Sequence, residues 1–516
     1  MRFTHNLDAV FTISAIDLSS GIVDLKISQR SLTENFRGSF PENGSLLEDE
    51  YLSSDKIADA IEHIAAEHLD DKLPRAIAGL LTRKPPVQPL LIPGESSLDA
   101  AIRVTACMSG ECLVIQGPPG TGKTYMGSRV IARLLASGKK VGVTSNSHKA
   151  IANLLAECGR ALKERGGSLR GIVVCENPDK GLLAANPSLT PVERSADAHG
   201  VYSGGIVAGT AWLFSRPEWI DVLDFLFIDE AGQVALANAV AMGRCAKNLV
   251  LLGDQMQLEQ PIQGSHPGDA GLSVLQYALK DIELSKPDAP VFRAVVPSDS
   301  GLFLGESRRM HPDVCRFISE SIYEGRLTSL IDCARQRIVP RLGPEAFVVR
   351  SSGIVFSAVE HDGNVQQSPE EVERIKAIYE QMVGSKYTAA DGKERVLELQ
   401  DFLFIAPYNA QVRALQAALP VGARVASVDK FQGQEAPVCI LSMCCSYGDY
   451  GSRGLQFILN RARINVAISR AQCLVVIVGD PRIASTPAPT LNQMMLLNLY
   501  CKLLDQSRDQ QTRSSS

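Results

Sequence analysis

The stretch Gln116-Gly117-Pro118-Pro119-Gly120-Thr121-Gly122-Lys123-Thr124 constrains this chain more than any other. An apolar run, Cys112 to Ile115, leads into it. A helical pattern, Tyr125 to Leu135, leads out, so the local order is strand, glycine-rich loop, helix. Gly117, Gly120 and Gly122 let backbone N–H groups turn inward and cradle phosphate oxygens. Pro118, Pro119 and Thr121 complete the loop. The helix start adds the positive end of its dipole. Lys123 can reach the β- and γ-phosphates, and the Thr124 hydroxyl can ligate Mg²⁺. The spacing G-x-x-x-x-G-K-T between a strand and a helix reads as a nucleotide site rather than an ordinary turn.

A chain of 516 residues has room for two or three domains. Its net charge of −5 gives no global basic surface, so a nucleic-acid site must be a local groove. Twelve cysteines contain no C-x-x-C pair and read as free thiols in a reducing compartment. No signal peptide is visible and no apolar run approaches ~18 residues, so a cytoplasmic protein with no membrane partner is expected.

Residues 1–85 read as an accessory region. Ala9 to Ser28 alternates around a Ser-Ser-Gly turn, suggesting a small β-hairpin or barrel fragment. Ser54 to His68 has a helical pattern with Ser54 as N-cap. Asp24-x-Lys26 lacks nearby carboxylates and reads as an exposed strand face. Pro85 to Pro93 marks a boundary.

Beyond it the fold class is α/β. Val141 to Ser145, Phe225 to Ile228 and Leu249 to Leu252 read as buried parallel strands, each ending in a polar cluster. In such sheets chemistry gathers at the carboxyl ends of strands. A first domain over 86–298 is expected, with a loose surface insertion near 166–205. A second, over 299–500, has strands at Phe402–Ala406, Val425–Val428, Val438–Met443 and Leu474–Val478 and no phosphate loop of its own. A polar tail, 501–516, reads as disordered from Gln506.

Phe225–Ile228 runs into Asp229-Glu230-Ala231-Gly232-Gln233. Opposite a phosphate loop, Asp229 is placed to hold Mg²⁺ and Glu230 to deprotonate the attacking water. Leu249–Leu252 runs into Gly253-Asp254-Gln255-Met256-Gln257, where Gln257 could sense the γ-phosphate. The second half offers cations: Ser307-Arg308-Arg309-Met310-His311-Pro312, and Asn465-Val466-Ala467-Ile468-Ser469-Arg470. Isolated, these arginines would be surface ion pairs. From a neighbouring domain they could neutralise charge on a transferring phosphoryl group.

GPPGTGKT, DEAGQ, GDQMQ, RRMHP, APYNAQ, SVDKFQGQE and NVAISRA occur in that order. The set resembles superfamily 1 helicases. It is most similar to the branch containing the nonsense-mediated-decay RNA helicase and the nuclease-helicase of Okazaki-fragment processing. Thr144 to Ile151 resembles the helicase part of bacterial proteins that fuse a RecB-like nuclease to a helicase. The resemblance spans roughly Leu98 to Pro481. It implies two RecA-like domains with ATP and Mg²⁺ in the cleft between them and single-stranded DNA or RNA across the top. By motif match, Lys123, Thr124, Asp229, Glu230 and Gln257 line one side, and Arg309 and Arg470 reach in from the other. Gly433 and Glu435 approach the nucleotide and its ribose. Strand contacts are implied for Ser145, Asn146, His148, Thr210, Tyr408, Asn409 and Ser427. The implied activity is ATP-driven, 5′→3′ translocation or unwinding; the competing reading is a nucleotide-switched binding module that hydrolyses ATP without unwinding. No nuclease constellation is visible, so a nuclease domain or protein is a candidate partner, and the opening residues read as a barrel remnant.

Two departures bear on base choice. The family's adenine-reading Gln is matched by Ile102, and its Tyr before Arg-Met-His-Pro by Arg308. A guanidinium can stack on any base by cation–π attraction of ~0.5–2 kcal/mol, without reading its edge. GTP and other triphosphates should therefore be used within about tenfold of ATP, ~1.4 kcal/mol. Comparing kcat/KM for ATP and GTP with single strand present checks this; an ATP preference above ~100-fold would reveal a separate adenine reader.

Overall fold

The computed structural model describes residues 2–513 except 4–5, 18–21, 37, 41–45, 48–53, 260–265, 286–290, 344–345, 432 and 449–453. It divides into two compact units, Met1–Lys56 and Ile57–Ser516. In the first, strands Thr12–Asp17 and Ile22–Lys26 pair antiparallel as the alternation predicts. Their Ser-Ser-Gly turn lies outside the described residues. Asp24 and Lys26 are exposed. Phe11 packs on Phe36 and Phe40, ring centroids 5.9 and 5.5 Å apart. The accessory region ends well before the Pro-rich boundary at 85. Ile57, Ala60 and Ile64, one face of helix Asp55–Leu69, join Ile77 and Leu80 in the core of the larger unit.

That larger unit is built on two all-parallel sheets. The first has eight strands: β1 (Cys112–Gln116), β2 (Val141–Thr144), β3 (Gly171–Val174), β4 (Leu189–Val192), β5 (Ile206–Ala208), β6 (Leu223–Ile228), β7 (Ala246–Gly253) and β8 (Leu302–Phe303). Their order is β8-β1-β7-β6-β2-β5-β3-β4. Continuous Val, Ile, Leu and Phe runs suit strands covered on both faces. Leu226, Ile228, Leu249 and Leu251 point into one core; Leu113, Ile115, Phe225, Phe227 and Val250 point into the other. Helices α1 (Lys123–Ala136) and α2 (His148–Lys163) cover the second face. On α2 the buried Ile151, Leu154, Leu155, Cys158 and Leu162 recur at helical spacing. The register pairs Gly253 with Gln116 and Ile228 with Thr144, so the polar clusters converge at one end of the sheet.

The stretch expected as a loose insertion, 166–205, instead supplies the sheet's outer strands β3 and β4. Most of its Ser and Asn residues belong to the connections, while Gly171 and Pro191 lie within β3 and β4. Short runs such as Ile172-Val173-Val174 are buried only because the sheet continues beyond β5.

The second sheet has five strands: β9 (Gly353–Ala358), β10 (Phe402–Ile405), β11 (Arg424–Ala426), β12 (Ala436–Ser442) and β13 (Ala471–Gly479), ordered β9-β13-β12-β10-β11. Helices α3 (Pro312–Ile322), α6 (Arg461–Ile468) and α7 (Leu491–Arg513) pack on one face, and α4 (Pro369–Met382) and α5 (Asn409–Ala418) on the other. These are the two RecA-like layers that the motifs imply. The expected disordered tail is corrected: α7 runs through Arg513. Leu503 is fully buried, and the Tyr500 hydroxyl donates to the Asp480 carbonyl at 2.8 Å. Among the described residues no helix is long and apolar enough to cross a membrane.

Gly171 tests the extended sheet. Its φ is 148°, and a Cβ there would lie 1.8 Å from the Ile206 carbonyl oxygen across the β3–β5 pairing. Gly171→Ala should cost at least ~2 kcal/mol by denaturant titration; in a loose surface insertion the change would be nearly silent.

Candidate active site

The phosphate loop depends on local backbone geometry. Gly120 and Gly122 have φ of 76° and 84°, and Gly122 is the N-cap of α1. A Cβ on Gly117 would meet Lys123 Cγ at 2.2 Å, so a side chain there would displace the Lys123 stem from its present place. The Gly117 N–H donates to the Gly253 carbonyl at 2.9 Å, tying the loop to the end of β7. Lys123 Nζ donates to the Gly117 carbonyl at 2.5 Å, and Thr121 Oγ1 to that of Pro118 at 2.7 Å.

Beside the loop stand the ends of β6 and β7. Asp229 is 4% exposed, and its Oδ1 accepts the Glu230 N–H at 2.9 Å. Burial, and then the Glu230 charge, push the Asp229 carboxyl up to about 7, against the pull of Lys123. Glu230 is half-buried and left-handed, φ 51°, a strained backbone for a side chain of its size. Gln257 Nε2 donates to Asp254 Oδ2 at 2.9 Å.

The second sheet faces this group with three arginines. The Arg308 N–H donates to the Gly120 carbonyl at 2.8 Å, and its guanidinium lies 6.0 Å from the Tyr125 ring centroid. Arg309 pairs through Nε with Glu435 and donates from Nη1 to the Ser469 carbonyl at 3.1 Å. Arg470 is 3% exposed and donates to the Val466 and Gln434 carbonyls at 3.1 and 3.3 Å. Burial, then the neighbouring Arg309 charge, lower its guanidinium to about 10.

These elements enclose one cleft of about 580 Å³. Its lining brings together Pro118, Pro119, Gly120, Gly122, Lys123, Thr124, Asp229, Glu230, Gln257, Arg308, Arg309, Gly433, Glu435 and Arg470. Gly117 and Thr121 shape the loop without lining the cleft. Lys149, Asn153, Gln233 and Lys430 also line it and were not singled out from sequence. Lys149 and Asn153 stand four apart on α2, on one face, a spacing that could have revealed them. Thr124 and Asp229 offer hard oxygen donors of the kind Mg²⁺ takes. Among the described residues no cluster of three His, Cys, Asp or Glu could hold a metal by itself.

The seven strand-contact candidates do not stay together. Tyr408, Asn409 and Ser427 line a groove of about 310 Å³ with Arg413, Phe457 and Arg463. Tyr408 is 6% exposed, its ring 5.1 Å from that of Phe457, so packing is its main contact. Asn146 and His148 are exposed where β2 gives way to α2, and Thr210 caps the helix Ala211–Phe214 after β5. Because β2 and β5 are neighbours, these three share one end of the sheet. Ser145 departs from its expected place: it is buried and lines the nucleotide cleft. Ile102, on helix Ser97–Cys107, packs against the sheet core and does not line the cleft.

Two family models, each described as an AAA domain, match residues 99–270 and 291–482. The chain is 26% identical over 400 residues to the DNA replication ATP-dependent helicase/nuclease JHS1 of Arabidopsis thaliana, covering 75% of this chain and 28% of that protein. It is 23% identical over 428 residues to the DNA polymerase alpha-associated DNA helicase A of Schizosaccharomyces pombe, covering 72% and 61%. With the regulator of nonsense transcripts 1 homolog of Drosophila melanogaster it shares 24% identity over 427 residues, covering 72% and 33%. The chain thus spans less than two thirds of each relative. Together with the ordered motifs, these matches make the chain similar to superfamily 1 helicases over most of its length.

Asp229 carries a testable cost. A carboxyl whose folded value is raised loses stability as pH climbs from ~4 through its folded value, because the fold then holds an ion that the unfolded chain solvates better. Asp229→Asn should therefore be more stable than wild type at pH 8 by at least ~1 kcal/mol and unfold at higher temperature, with the gain shrinking toward pH 4. Melting curves of both proteins at several pH values check the sign.

Proposed function

We propose that this chain is an ATP-dependent helicase or translocase on single-stranded nucleic acid, moving 5′→3′. One observation carries the reading: a phosphate loop and an acidic strand end on one sheet, and arginines on the other, share a cleft of about 580 Å³. The working parts are a first domain over 86–298 and a second over 299–500. The loop from Gly117 to Gly122 holds the phosphates by backbone N–H groups, and Lys123 leaves the Gly117 carbonyl to meet the β- and γ-oxygens. Thr124 and Asp229 would hold Mg²⁺, which would supply positive charge to those oxygens. Glu230 takes a proton from the attacking water. Gln257 contacts the γ-phosphate side. Arg309 and Arg470 stabilise the charge spread over the γ-oxygens in the transition state, worth ~10³–10⁵ in rate for such residues. Gly433 and Glu435 face the ribose, and Arg308 stacks on the base.

Asn146, His148 and Thr210 on the first domain, and Asn409 and Ser427 on the second, offer short polar groups for phosphate and sugar. A strand touching both sets favours the closed cleft, so strand binding and hydrolysis are coupled. The relative whose name joins helicase and nuclease supports a nuclease as partner, on the same chain or another.

Single-stranded nucleic acid should raise the ATPase rate. Lys123→Ala should lose turnover and weaken ATP binding. Glu230→Gln should keep binding and lose ~10²–10⁴ in kcat. Tailed duplexes of DNA and RNA, with 5′ and 3′ overhangs, check unwinding and polarity. Turnover without strand displacement on any of them would leave a clamp that hydrolyses ATP. Unchanged turnover in Glu230→Gln would remove it as the base.

A further inference from the structure

The two domains meet in a buried polar junction that the catalytic reading leaves unused. Asp254, 3% exposed at the end of β7, accepts from Gln116 Nε2 and the Met256 N–H on Oδ1, both at 3.2 Å. On Oδ2 it accepts from Gln257 Nε2 at 2.9 Å and the Tyr323 hydroxyl at 2.6 Å. Tyr323, at the end of α3 in the second domain, is fully buried. Its oxygen accepts in turn from Asn465 Nδ2 at 2.8 Å, and the same amide donates to the Met256 carbonyl at 2.8 Å. The amide orientation is forced, since flipping it would set its oxygen against the Met256 carbonyl. Asn465 Oδ1 is left without a partner in the core. Three buried polar side chains and one unpaired acceptor form a costly way to dock two domains if docking is all they do.

What they hold is α6. The Asn465 carbonyl accepts the Ser469 N–H at 3.0 Å, closing the last turn of that helix. From this turn, the Val466 carbonyl holds Arg470 and the Ser469 carbonyl holds Arg309. Both arginines are therefore mounted on a helix end whose position over the first domain is set one turn earlier, at Asn465. On the other side the anchor is Asp254, which Gln257 also grips from the cleft. We propose that Tyr323 and Asn465 are positioning residues for hydrolysis: the relay Asp254–Tyr323–Asn465 registers α6, and with it Arg470 and Arg309, against the loop 254–257 beside the phosphate site. This rests on the NTPase reading above. An occupant of the cleft that draws Gln257 away from Asp254 changes the strength of that anchor, linking the phosphate site to the seating of both arginines.

Tyr323→Phe removes one hydroxyl and keeps the ring. Strand-stimulated kcat should fall about 10- to 100-fold, as a misplacement near 1 Å costs, while binding of a non-hydrolysable ATP analogue stays within about threefold. A second variant, Asn465→Leu, cuts the relay from the other side and should give the same loss. The decisive readout is the cycle with Arg470→Ala. If the relay acts by seating the arginines, Tyr323→Phe costs less in the Arg470→Ala background than in wild type, what remains being its effect through Arg309. Two losses that multiply, or a Tyr323→Phe enzyme as fast as wild type, would overturn the relay and leave the helicase reading standing. A wild-type protein with no ATPase activity, with or without strand, would overturn both.

Discussion

Asp229 and Asp254 stand at the carboxyl ends of the adjacent strands β6 and β7 and expose only 4% and 3% of their surfaces. A carboxylate out of water must be given donors or positive charge, or it protonates. The surroundings answer that demand differently at the two sites. Asp254 is surrounded by donors from both domains: Gln116, Gln257, Met256 and Tyr323. Asp229 has one backbone donor, the nearby Lys123 charge and a like-charged neighbour, and its carboxyl rises to about 7. Burial raises the Asp254 carboxyl as well, against the pull of Lys123 and of these donors; what differs is the donor set, which at Asp229 leaves room for a cation.

The opposite wall shows the same economy with the sign reversed. Arg470 is almost completely buried, and its visible partners are carbonyl oxygens rather than a carboxylate. Of the acids whose charge reaches it, Glu230 and Glu435, the second is engaged by Arg309 and Gln472. A buried guanidinium without its own counter-ion is poised for negative charge arriving from the cleft. Parallel topology makes this meeting possible, because strand ends and helix starts of one sheet all face the same way.

Unusual backbone also occurs at this place. Glu230 holds a left-handed φ directly beside the buried Asp229, and Gly120 turns with a positive φ beneath Arg309 and Ser307. These conformations persist because β6 and β1 are locked on both sides by neighbouring strands.

Much of this was legible before any coordinates. The phosphate loop spans so few residues that glycine placement alone dictates its shape, and the strands before Lys123, Asp229 and Asp254 announce themselves as unbroken apolar runs. The outer strands β3 and β4 were hidden, because runs as short as Ile172-Val173-Val174 become strands only when a sheet edge is there to receive them. The helix through Leu503 was hidden because its buried face is set by the sheet beneath it. What the sequence determined by itself was local: a strand, a phosphate-binding turn, a helix, and which polar residues end which strands. What only the tertiary structure decided was who faces whom. Ser145 turns to the cleft, and Tyr323 reaches Asp254, 69 positions away, and Asn465, 142 positions on. Such pairings depend on strand order and on the docking of two sheets, and no periodicity along the chain carries that information.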